Sequence, residues 1–237
     1  MPLPDELRLC GLRKVYGDVV ALDGLDLDVA AGQCVALIGH NGSGKTTAVR
    51  LAAGQLQPTA GTVTVAGIDV TGKADVPEAR ARLSFVPDTP VLYGDLTVGE
   101  HLELVALAHG IADHGAERIA ALLAELGLAG RRDFLPGQLS RGLRQKTQLA
   151  CALLRPFQVL LLDEPVVGLD PPSQQTLRRL LRRAAVRGAA VVLTTHQLGF
   201  ADGLADRAVI LDQGQVADAG PFQRVVAGAE AARLGLR

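Results

Sequence analysis

The sequence predicts one α/β unit that carries an inserted helical segment, and two observations support this. Short unbroken apolar runs, typical of parallel strands buried on both faces, occur early in the chain and again after residue 157. Between roughly residues 97 and 155 the apolar residues instead recur at helical spacing. Because strands lie in both flanks and helices in the middle, we interpret the 237 residues as one domain.

Two segments alternate between apolar and polar residues and are predicted to be half-buried strands. In "LDLDV" (25–29) the leucines and the valine share one face and the aspartates the other, and "TVTV" (62–65) repeats the pattern. Near the end of the chain, apolar runs on both sides of "DQGQ" (212–215) predict a strand pair around a turn. The unbroken apolar runs are "CVALI" (34–38), "VLLL" (159–162) and "AVVLT" (190–194). Their period alone leaves short buried helices open as an alternative.

The middle of the chain shows helix signals. Thr97 and Glu100 have the spacing of a capping box, which predicts a helix beginning next to them. A second helix is predicted over 116–130, where apolar residues recur at helical spacing before a final glycine.

Composition excludes some classes of function. The 24 basic and 25 acidic residues give a net charge of −1, so nothing predicts a nucleic-acid partner. Aromatic residues make up 3% of the chain and tryptophan is absent, which argues against a base-stacking platform. Three widely spaced cysteines, Cys10, Cys34 and Cys151, are interpreted as small core residues of a reduced, cytosolic protein.

The sequence gives no sign of membrane insertion. The first residues, "MPLPDELRL", lack the basic-then-apolar pattern of a signal peptide. No apolar run approaches the roughly 20 residues that a spanning helix needs. If the protein acts at a membrane, we expect another chain to supply the spanning part.

The segment "GHNGSGKTT" (39–47) follows a predicted buried strand and opens a predicted helix that closes at Gly54. Glycines let the backbone turn tightly and direct several N–H groups at phosphate oxygens. Lysine supplies a point charge for the β and γ phosphates, and the first threonine hydroxyl is placed to bind Mg²⁺. The alternative is a glycine-rich turn that precedes a lysine by chance, and no role is assigned to the histidine side chain. The predicted phosphate-binding residues are Gly39, His40, Asn41, Gly42, Ser43, Gly44, Lys45, Thr46 and Thr47.

A second group of candidates lies in "VLLLDEPVVGLD" (159–170). An apolar strand that ends in an acid places a carboxylate beside Mg²⁺ in phosphoryl-transfer sites, and Asp163 fits that role. Glu164 follows and could activate a water molecule as general base. The alternative is a solvated strand end.

The segment "LSRGLRQK" (139–146) predicts a second anion-binding helix terminus. Ser140 can cap a helix that begins at Arg141, and Gly142 leaves a backbone N–H open in the first turn. One triphosphate bound at Lys45 has no evident use for this terminus in the same chain, whereas a second chain would complete the site with it. The alternative is an ordinary capped amphipathic helix.

Over essentially its whole length, the chain resembles the nucleotide-binding subunit of an ATP-binding cassette (ABC) transporter. "GHNGSGKTT" matches Walker A, "VLLLDE" matches Walker B with its catalytic glutamate, and "LSRGLRQK" lies where the family signature belongs. The resemblance implies that Tyr16 stacks on adenine, that Asp170 of the D-loop reaches across a dimer interface, and that His196 is the switch histidine at the γ-phosphate. Without the resemblance, Tyr16 and His196 would be assigned to core and strand-end positions.

The sequence departs from the family pattern in two places. Where the family has a glutamine that senses the γ-phosphate, Mg²⁺ and the membrane subunit, this chain has Asp88, which is shorter and adds negative charge. Asp88 either reaches a metal-bound water or is only part of a turn. In the signature, Arg141 replaces a glycine and Leu143 a polar residue. Such variants resemble export-type systems with separate membrane subunits.

The resemblance implies a P-loop ABC ATPase core with an antiparallel β subdomain and an inserted α-helical subdomain. We expect residues 1–87 and 157–237 to form the core and residues 88–156 the helical subdomain. The implied cofactors are ATP and Mg²⁺, with Thr46, Asp163 and Asp88 at the metal. The implied catalytic residues are Glu164, His196 and Lys45.

The resemblance also implies partners and a location. We expect integral membrane permease subunits, a second ATP-binding subunit, no nucleic acid, and a cytoplasmic protein held peripherally on the inner face of the membrane. Residues 89–96 are a candidate docking surface, although their apolar residues could equally pack internally. Two alternatives from other classes stay open: a soluble ABC ATPase without a transport role, and a nucleotide-binding regulatory module with little hydrolysis.

Overall fold

The computed structural model describes residues 5–72, 76–111 and 115–236, which form two β-sheets, their flanking helices and a helical middle segment. The strands are β1 Asp5–Tyr16, β2 Val19–Ala30, β3 Cys34–Ile38, β4 Ala60–Val65, β5 Ile68–Asp69, β6 Leu83–Val86, β7 Val159–Leu162, β8 Ala190–Thr195, β9 Arg207–Asp212 and β10 Gln215–Pro221. The helices are α1 Lys45–Ala52, α2 Pro77–Arg82, α3 Val98–Ala108, α4 Gly115–Glu125, α5 Arg141–Leu154, α6 Pro171–Val186, α7 Leu198–Ala201, α8 Phe222–Ala227 and α9 Ala229–Arg233.

The larger sheet has the order β10-β9-β3-β8-β7-β6 and is parallel except for β10, which runs antiparallel to β9. Every residue of β3, β7 and β8 is buried, as expected for strands covered on both faces. The three unbroken apolar runs are therefore strands and not buried helices. The strand pair at the end of the chain is also confirmed.

The parallel register brings the carboxyl ends of the central strands together. Ile38 at the end of β3 pairs with Thr195 of β8, and Leu162 at the end of β7 pairs with Leu193. The loops that follow these three strands therefore leave the sheet at one edge, where ligands bind in open α/β sheets.

The smaller sheet is antiparallel, with the order β2-β1-β4-β5. Leu25, Leu27 and Val29 of β2 are buried while Asp26 and Asp28 are exposed, so the predicted alternation is confirmed. The apolar face of this sheet shares one hydrophobic cluster with α1 and with β3 and β8 of the larger sheet. This packing fixes α1 between the two sheets.

The helices α3, α4 and α5 have a hydrophobic cluster of their own, to which α6 adds Leu180. The predicted capping box is confirmed, because the Thr97 hydroxyl accepts a hydrogen bond from the Glu100 N–H at 3.2 Å. In return the Glu100 carboxylate accepts one from the Thr97 N–H at 2.7 Å. In the described part of the chain, no helix has the length and apolar character needed to cross a membrane.

Two expectations were wrong. The helix predicted over 116–130 ends at Glu125, because Gly127 adopts a left-handed conformation with φ of 70° and stops the helix three residues before Gly130. Cys34 and Cys151 are buried core residues as expected, but Cys10 is exposed. It lies on β1, whose neighbouring positions alternate between the core and the solvent.

Candidate functional site

The loop after β3 depends on glycine at two positions. Gly44 immediately precedes α1 with φ of 102°, and a Cβ atom there would lie 2.6 Å from the carbonyl oxygen of Ala21. A Cβ at Gly39 would collide with the carbonyl oxygen of Leu211. Larger side chains are therefore excluded at both ends of the loop, and the backbone N–H groups between them stay accessible to an anion.

Lys45 is buried at the base of this loop. Its Nζ donates hydrogen bonds to the carbonyl oxygens of Gly39 and His40 at 2.7 and 2.9 Å. Burial lowers the pKa of Lys45, and the carboxylates of Glu164 and Asp163 oppose that shift. The ammonium group is thus held in place, and an anionic ligand would offset the cost of its burial.

Asp163, the residue after β7, is fully buried. Its Oδ1 accepts hydrogen bonds from the Thr194 hydroxyl at 2.6 Å and the Thr46 hydroxyl at 3.2 Å. Burial raises the pKa of Asp163; the two hydroxyl bonds oppose the shift, while Asp88 and Glu164 add to it. A cation bound at this carboxylate would favour its ionised form and so lower its pKa.

Glu164 is the next residue and lies between Lys45 and His196. Its Oε2 is 3.0 Å from the Nδ1 atom of His196, and its Oε1 is 4.0 Å from the Nζ atom of Lys45, which is an ion pair too long for a hydrogen bond. Its backbone has φ of 45°, a conformation that non-glycine residues rarely adopt, and its N–H donates to the Thr194 hydroxyl at 2.8 Å. This conformation directs the carboxylate of Glu164 toward Lys45.

The residues fit a magnesium–triphosphate group. Three buried oxygen atoms have no hydrogen-bond partner: Ser43 Oγ near Gly39, and Asp163 Oδ2 and Glu164 Oε1 near Lys45. Unpartnered buried oxygens are costly, and a metal–phosphate ligand with its waters would satisfy the two carboxylate oxygens. Within the described ranges no group of three or more His, Cys, Asp or Glu side chains could hold a metal alone. The set of a hydroxyl and carboxylates suits Mg²⁺ shared with phosphate oxygens.

A cleft of about 350 Å³ opens above these groups. Its volume lies within the range of roughly 300–1,000 Å³ that is usual for ligand sites. The cleft is lined by Ala21, Asn41, Gly42, Gly44, Lys45, Thr46, Thr47, Asp88 and Glu164. The structure therefore brings most of the predicted phosphate loop, Glu164 and Asp88 to one cavity.

Other predicted site residues lie outside the lining of this cleft. Tyr16 is 46% exposed at the end of β1, where the Lys14 ammonium lies 5.0 Å from its ring centroid. The Tyr16 ring is thus available at the surface, not buried in the core. The side chain of His40 points away from the lysine, and its Nε2 lies 2.5 Å from the carbonyl oxygen of Leu234. His196 reaches the site through Glu164.

The signature segment also lies apart from the cleft. Ser140 caps α5, since its hydroxyl accepts a hydrogen bond from the Leu143 N–H at 3.3 Å. A Cβ atom at Gly142 would lie 2.5 Å from the carbonyl oxygen of Gly168, so close packing against the segment before α6 requires glycine there. Asp170 caps α6 through the Ser173 N–H at 3.1 Å, and hydrogen bonds from the Ser173 hydroxyl and then from this N–H lower the pKa of Asp170. Within one chain, Ser140 and Asp170 therefore cap helices, and Gly142 allows close packing.

Thr194 and Arg50 are among the residues at the site that were not predicted from the sequence. Thr194 connects Asp163 and Glu164 through its hydroxyl, and its signal was a polar residue in a fully buried strand just before His196. Arg50 of α1 lies 3.7 Å from the Asp88 carboxylate. No sequence signal connected Arg50 to Asp88, because 38 residues separate them and their proximity depends on the packing of α1.

Comparison with known families decides the identity. The family model described as ABC transporter matches residues 22–167, which include the phosphate loop, the signature segment and both acids. The chain belongs to the ABC transporter ATP-binding family. It is therefore an ATP-binding subunit of an ABC transporter, in a family of ATPases whose hydrolysis powers transport.

Curated relatives of this ABC subunit include two bacterial ATP-binding proteins. It is 35% identical over 221 residues to the Nod factor export ATP-binding protein I of Cupriavidus metallidurans, with 92% of this chain and 72% of the relative covered. It is 37% identical over 199 residues to the ABC-type transporter ATP-binding protein EcsA of Bacillus subtilis, with 82% and 78% covered.

Solved structures agree with the fold of the ABC subunit. A structure described as the ATP-binding subunit of an ABC transporter has a TM-score of 0.85 and 34% identity, with 98% of this chain and 94% of that chain covered. A nucleotide-free ATP-binding cassette has a TM-score of 0.82 at 22% identity, with 98% and 99% covered, which shows the fold alone. The predicted P-loop ABC fold is confirmed.

Proposed function

We propose that this subunit hydrolyses Mg²⁺-bound ATP in a sandwich of two ATP-binding subunits and thereby drives export through separate membrane subunits. The observation that supports this most directly is the pair of unpartnered buried carboxylate oxygens beside Lys45. Asp163 Oδ2 and Glu164 Oε1 both lack a hydrogen-bond partner, and a metal–triphosphate group with its waters would supply one.

The ligand would be held by the loop after β3. Backbone N–H groups of this loop and the N-terminus of α1 would bind the phosphates, and Lys45 would add its charge. Thr46 and Asp163 would hold Mg²⁺, with Asp88 near enough in the same cleft to bind one of its waters. When bound, Mg²⁺ neutralises the charge that develops on the phosphate oxygens.

Glu164 is the proposed general base. Its Oε1 is buried and free to accept a proton from water, while His196 holds the other carboxylate oxygen through Nδ1. Thr194 fixes the backbone N–H of Glu164 and the carboxylate of Asp163 together. Glu164 would thus accept the proton, while a different carboxylate, that of Asp163, would hold the metal.

A second subunit would complete the site. Ser140 and Gly142 lie at the N-terminus of α5, which is a 14-residue helix, and they line no part of the cleft around Lys45. Supplied by a facing subunit, this terminus would bind the γ-phosphate, and Asp170 would lie at the interface beside it. Tyr16 would stack on the adenine from the exposed end of β1.

Residues 89–96 are the proposed docking surface for a membrane subunit. Val91 is 75% exposed and Tyr93 is 67% exposed, so two apolar side chains at the start of this segment face the solvent. Leu92 and Leu96 are half-buried. The exposed pair favours docking over the internal-packing alternative for those two residues.

The relatives and this docking support a direction of transport and a location. The names of the Nod factor export proteins support export, and a permease partner would place the subunit on the cytoplasmic face of the membrane. We also propose that residues 1–87 and 157–237 form the core and that residues 88–156 form a helical subdomain. The basis for this division is the separate hydrophobic cluster that α3, α4 and α5 share.

The test is co-purification of the tagged chain from its native membranes in mild detergent, followed by mass spectrometry. We expect a polytopic membrane protein at near-equal stoichiometry. The double variant Val91→Ser, Tyr93→Ser should lose that partner while it keeps ATP turnover in the purified chain. A soluble partner alone, recovered after crosslinking, would reject the transporter assignment of the docking surface and favour a soluble ABC ATPase.

Turnover of the purified chain separates an enzyme from a regulatory nucleotide-binding module. Lys45→Ala should abolish nucleotide binding and therefore turnover, since it removes the buried ammonium group of the phosphate loop. Retained ATP binding in that variant would contradict the phosphate-loop assignment.

A further inference from the structure

A second cleft, of about 380 Å³, lies between the helical middle segment and the core and shares no residue with the lining of the ATP cleft. Four arginines from three parts of the chain line it, and we name it the arginine cleft. They are Arg118 of α4, Arg155 after α5, and Arg183 and Arg187 at the end of α6. The only carboxylate among the described lining residues is that of Glu6.

Contacts with the protein fix two of these guanidinium groups. Arg118 donates a hydrogen bond to the carbonyl oxygen of Leu154 at 2.9 Å, and Arg155 donates one to the carbonyl oxygen of Arg80 at 2.5 Å. Each bond orients a planar group that has further N–H donors to offer. The guanidinium groups are therefore positioned before any ligand arrives.

The positive charge of the cleft is incompletely compensated. Arg183 pairs with Glu125 at 2.8 Å, whereas the Nε atom of Arg155 is buried without a hydrogen-bond partner. Burial lowers the pKa of Arg155, which shows that its charge is held at a cost. For the side chain of Arg187, no hydrogen bond or ion pair is found within the described part of the protein.

Apolar side chains also line the cleft. Leu122 and Leu180 are buried, and Phe157 and Leu153 are partly buried. A cleft lined by several cationic donors and by apolar side chains resembles a ligand site more than a solvated surface. A tetrahedral phosphate presents acceptor oxygens in several directions, which suits guanidinium groups from three parts of the chain better than a planar carboxylate does.

We propose that the arginine cleft binds the phosphate group of a small organic phosphate ester, with the organic part beside Phe157 and Leu153. The bound ligand contacts α4 and the segment after α5 on one side and α6 on the other. It therefore stabilises the packing of α4 and of the segment after α5 against α6. This inference goes beyond the proposed function and does not depend on dimer formation.

The test uses phenyl phosphate as probe, titrated by calorimetry into the full chain saturated with Mg²⁺ and ADP, so that the phosphate loop is occupied. We expect one saturable site per chain. Arg118→Gln and Arg187→Gln should each weaken binding by about tenfold or more, because each removes charged hydrogen-bond donors. The matched control is Arg179→Gln, which removes the same charge from α6 outside this cleft and should leave the affinity unchanged.

A titration with inorganic phosphate, done in the same way, distinguishes a phosphate ester from free phosphate as the ligand of the cleft. Weaker binding than that of phenyl phosphate supports an ester, and equal binding overturns the role given to Phe157 and Leu153. Absence of a saturable site, or equal loss of affinity in Arg179→Gln and the two cleft variants, overturns the proposal as a whole. Arg187 lies at the exposed end of α6, so its variant is expected to fold even if Arg118→Gln does not.

Discussion

At the scale of single residues, Glu164 combines a rare backbone conformation with a precise set of neighbours. Its φ of 45° is unusual for a residue with a side chain, and the Thr194 hydroxyl bonded to its N–H helps to hold it there. Strained residues of this kind cluster where function requires them. The strain therefore agrees with the assignment of Glu164 as general base.

Replacing Glu164 by Gln should leave ATP binding intact and lower turnover by about a hundredfold to ten-thousandfold, since a general base contributes a factor of that order. Steady-state phosphate release and a nucleotide-binding assay measure the two effects. Glu103→Gln, which removes an exposed carboxylate that pairs with Arg132, is the matched control. Unchanged turnover in the Glu164 variant would remove the residue from the base role.

Asp88 is the residue at which this chain departs from the family pattern. Its carboxylate lies in the ATP cleft and 3.7 Å from Arg50, which offsets part of its charge. Asp88→Gln should tighten ATP binding, because it removes a negative charge beside the triphosphate, and should change basal turnover or its stimulation by the membrane partner. Asp133→Gln, which removes an exposed carboxylate outside the ATP cleft and outside residues 89–96, is the control. If both turnover values stay the same, Asp88 has no sensing role.

The three cysteines should differ in reactivity. Burial raises the pKa of Cys34 and of Cys151 to about 12, so both stay protonated as well as inaccessible at pH 8. Cys10 is exposed. A thiol reagent should therefore titrate one group per folded chain and three per unfolded chain. Rapid reaction of two or three thiols in the folded protein would contradict the burial described above.

At the scale of elements, capping residues determine where several helices begin. The reciprocal bonds between Thr97 and Glu100 begin α3, and Ser140 and Asp170 begin α5 and α6. These signals are local in sequence, so they could be predicted before the fold was known. The stop of α4 at Gly127 was also visible as a glycine, but helical spacing of the apolar residues beyond it favoured a longer helix.

Thr97→Ala should lower the free energy of unfolding by about 1 kcal/mol, because it removes an N-cap hydroxyl and half of a capping box. Chemical denaturation of the full chain measures the change. Thr97→Ser keeps the hydroxyl and should restore most of the stability. Equal destabilisation by alanine and serine would mean that packing of the Thr97 methyl group, not capping, stabilises the start of α3.

Contacts between distant elements could not be predicted from sequence patterns. The strands β3, β7 and β8 were identifiable because full burial leaves an unbroken apolar run. The pairing of Arg50 with Asp88 and the packing of Gly142 against Gly168 depend on how elements meet, so neither left a local signal. The exposure of Cys10 likewise depends on which face of β1 meets the core.

At the scale of the whole molecule, the two ends of the proposed site lie apart in one chain. The phosphate loop, Asp163, Glu164 and His196 gather at the carboxyl edge of the larger sheet. The N-terminus of α5 belongs to the helical segment and lines no part of that cleft. The proposed site therefore requires a second subunit, and nucleotide should control its association.

The most direct test of this requirement is the mass of the Glu164→Gln chain in solution, measured by sedimentation equilibrium with Mg²⁺ and either ATP or ADP. We expect a dimer with ATP and a monomer with ADP, because the γ-phosphate would bind the N-terminus of α5 of the facing subunit. Ser140→Arg, which places bulk and charge at the N-terminus of α5, should abolish the ATP dimer in the Glu164→Gln background. A monomer under every condition, with ATP binding retained, would contradict the composite site.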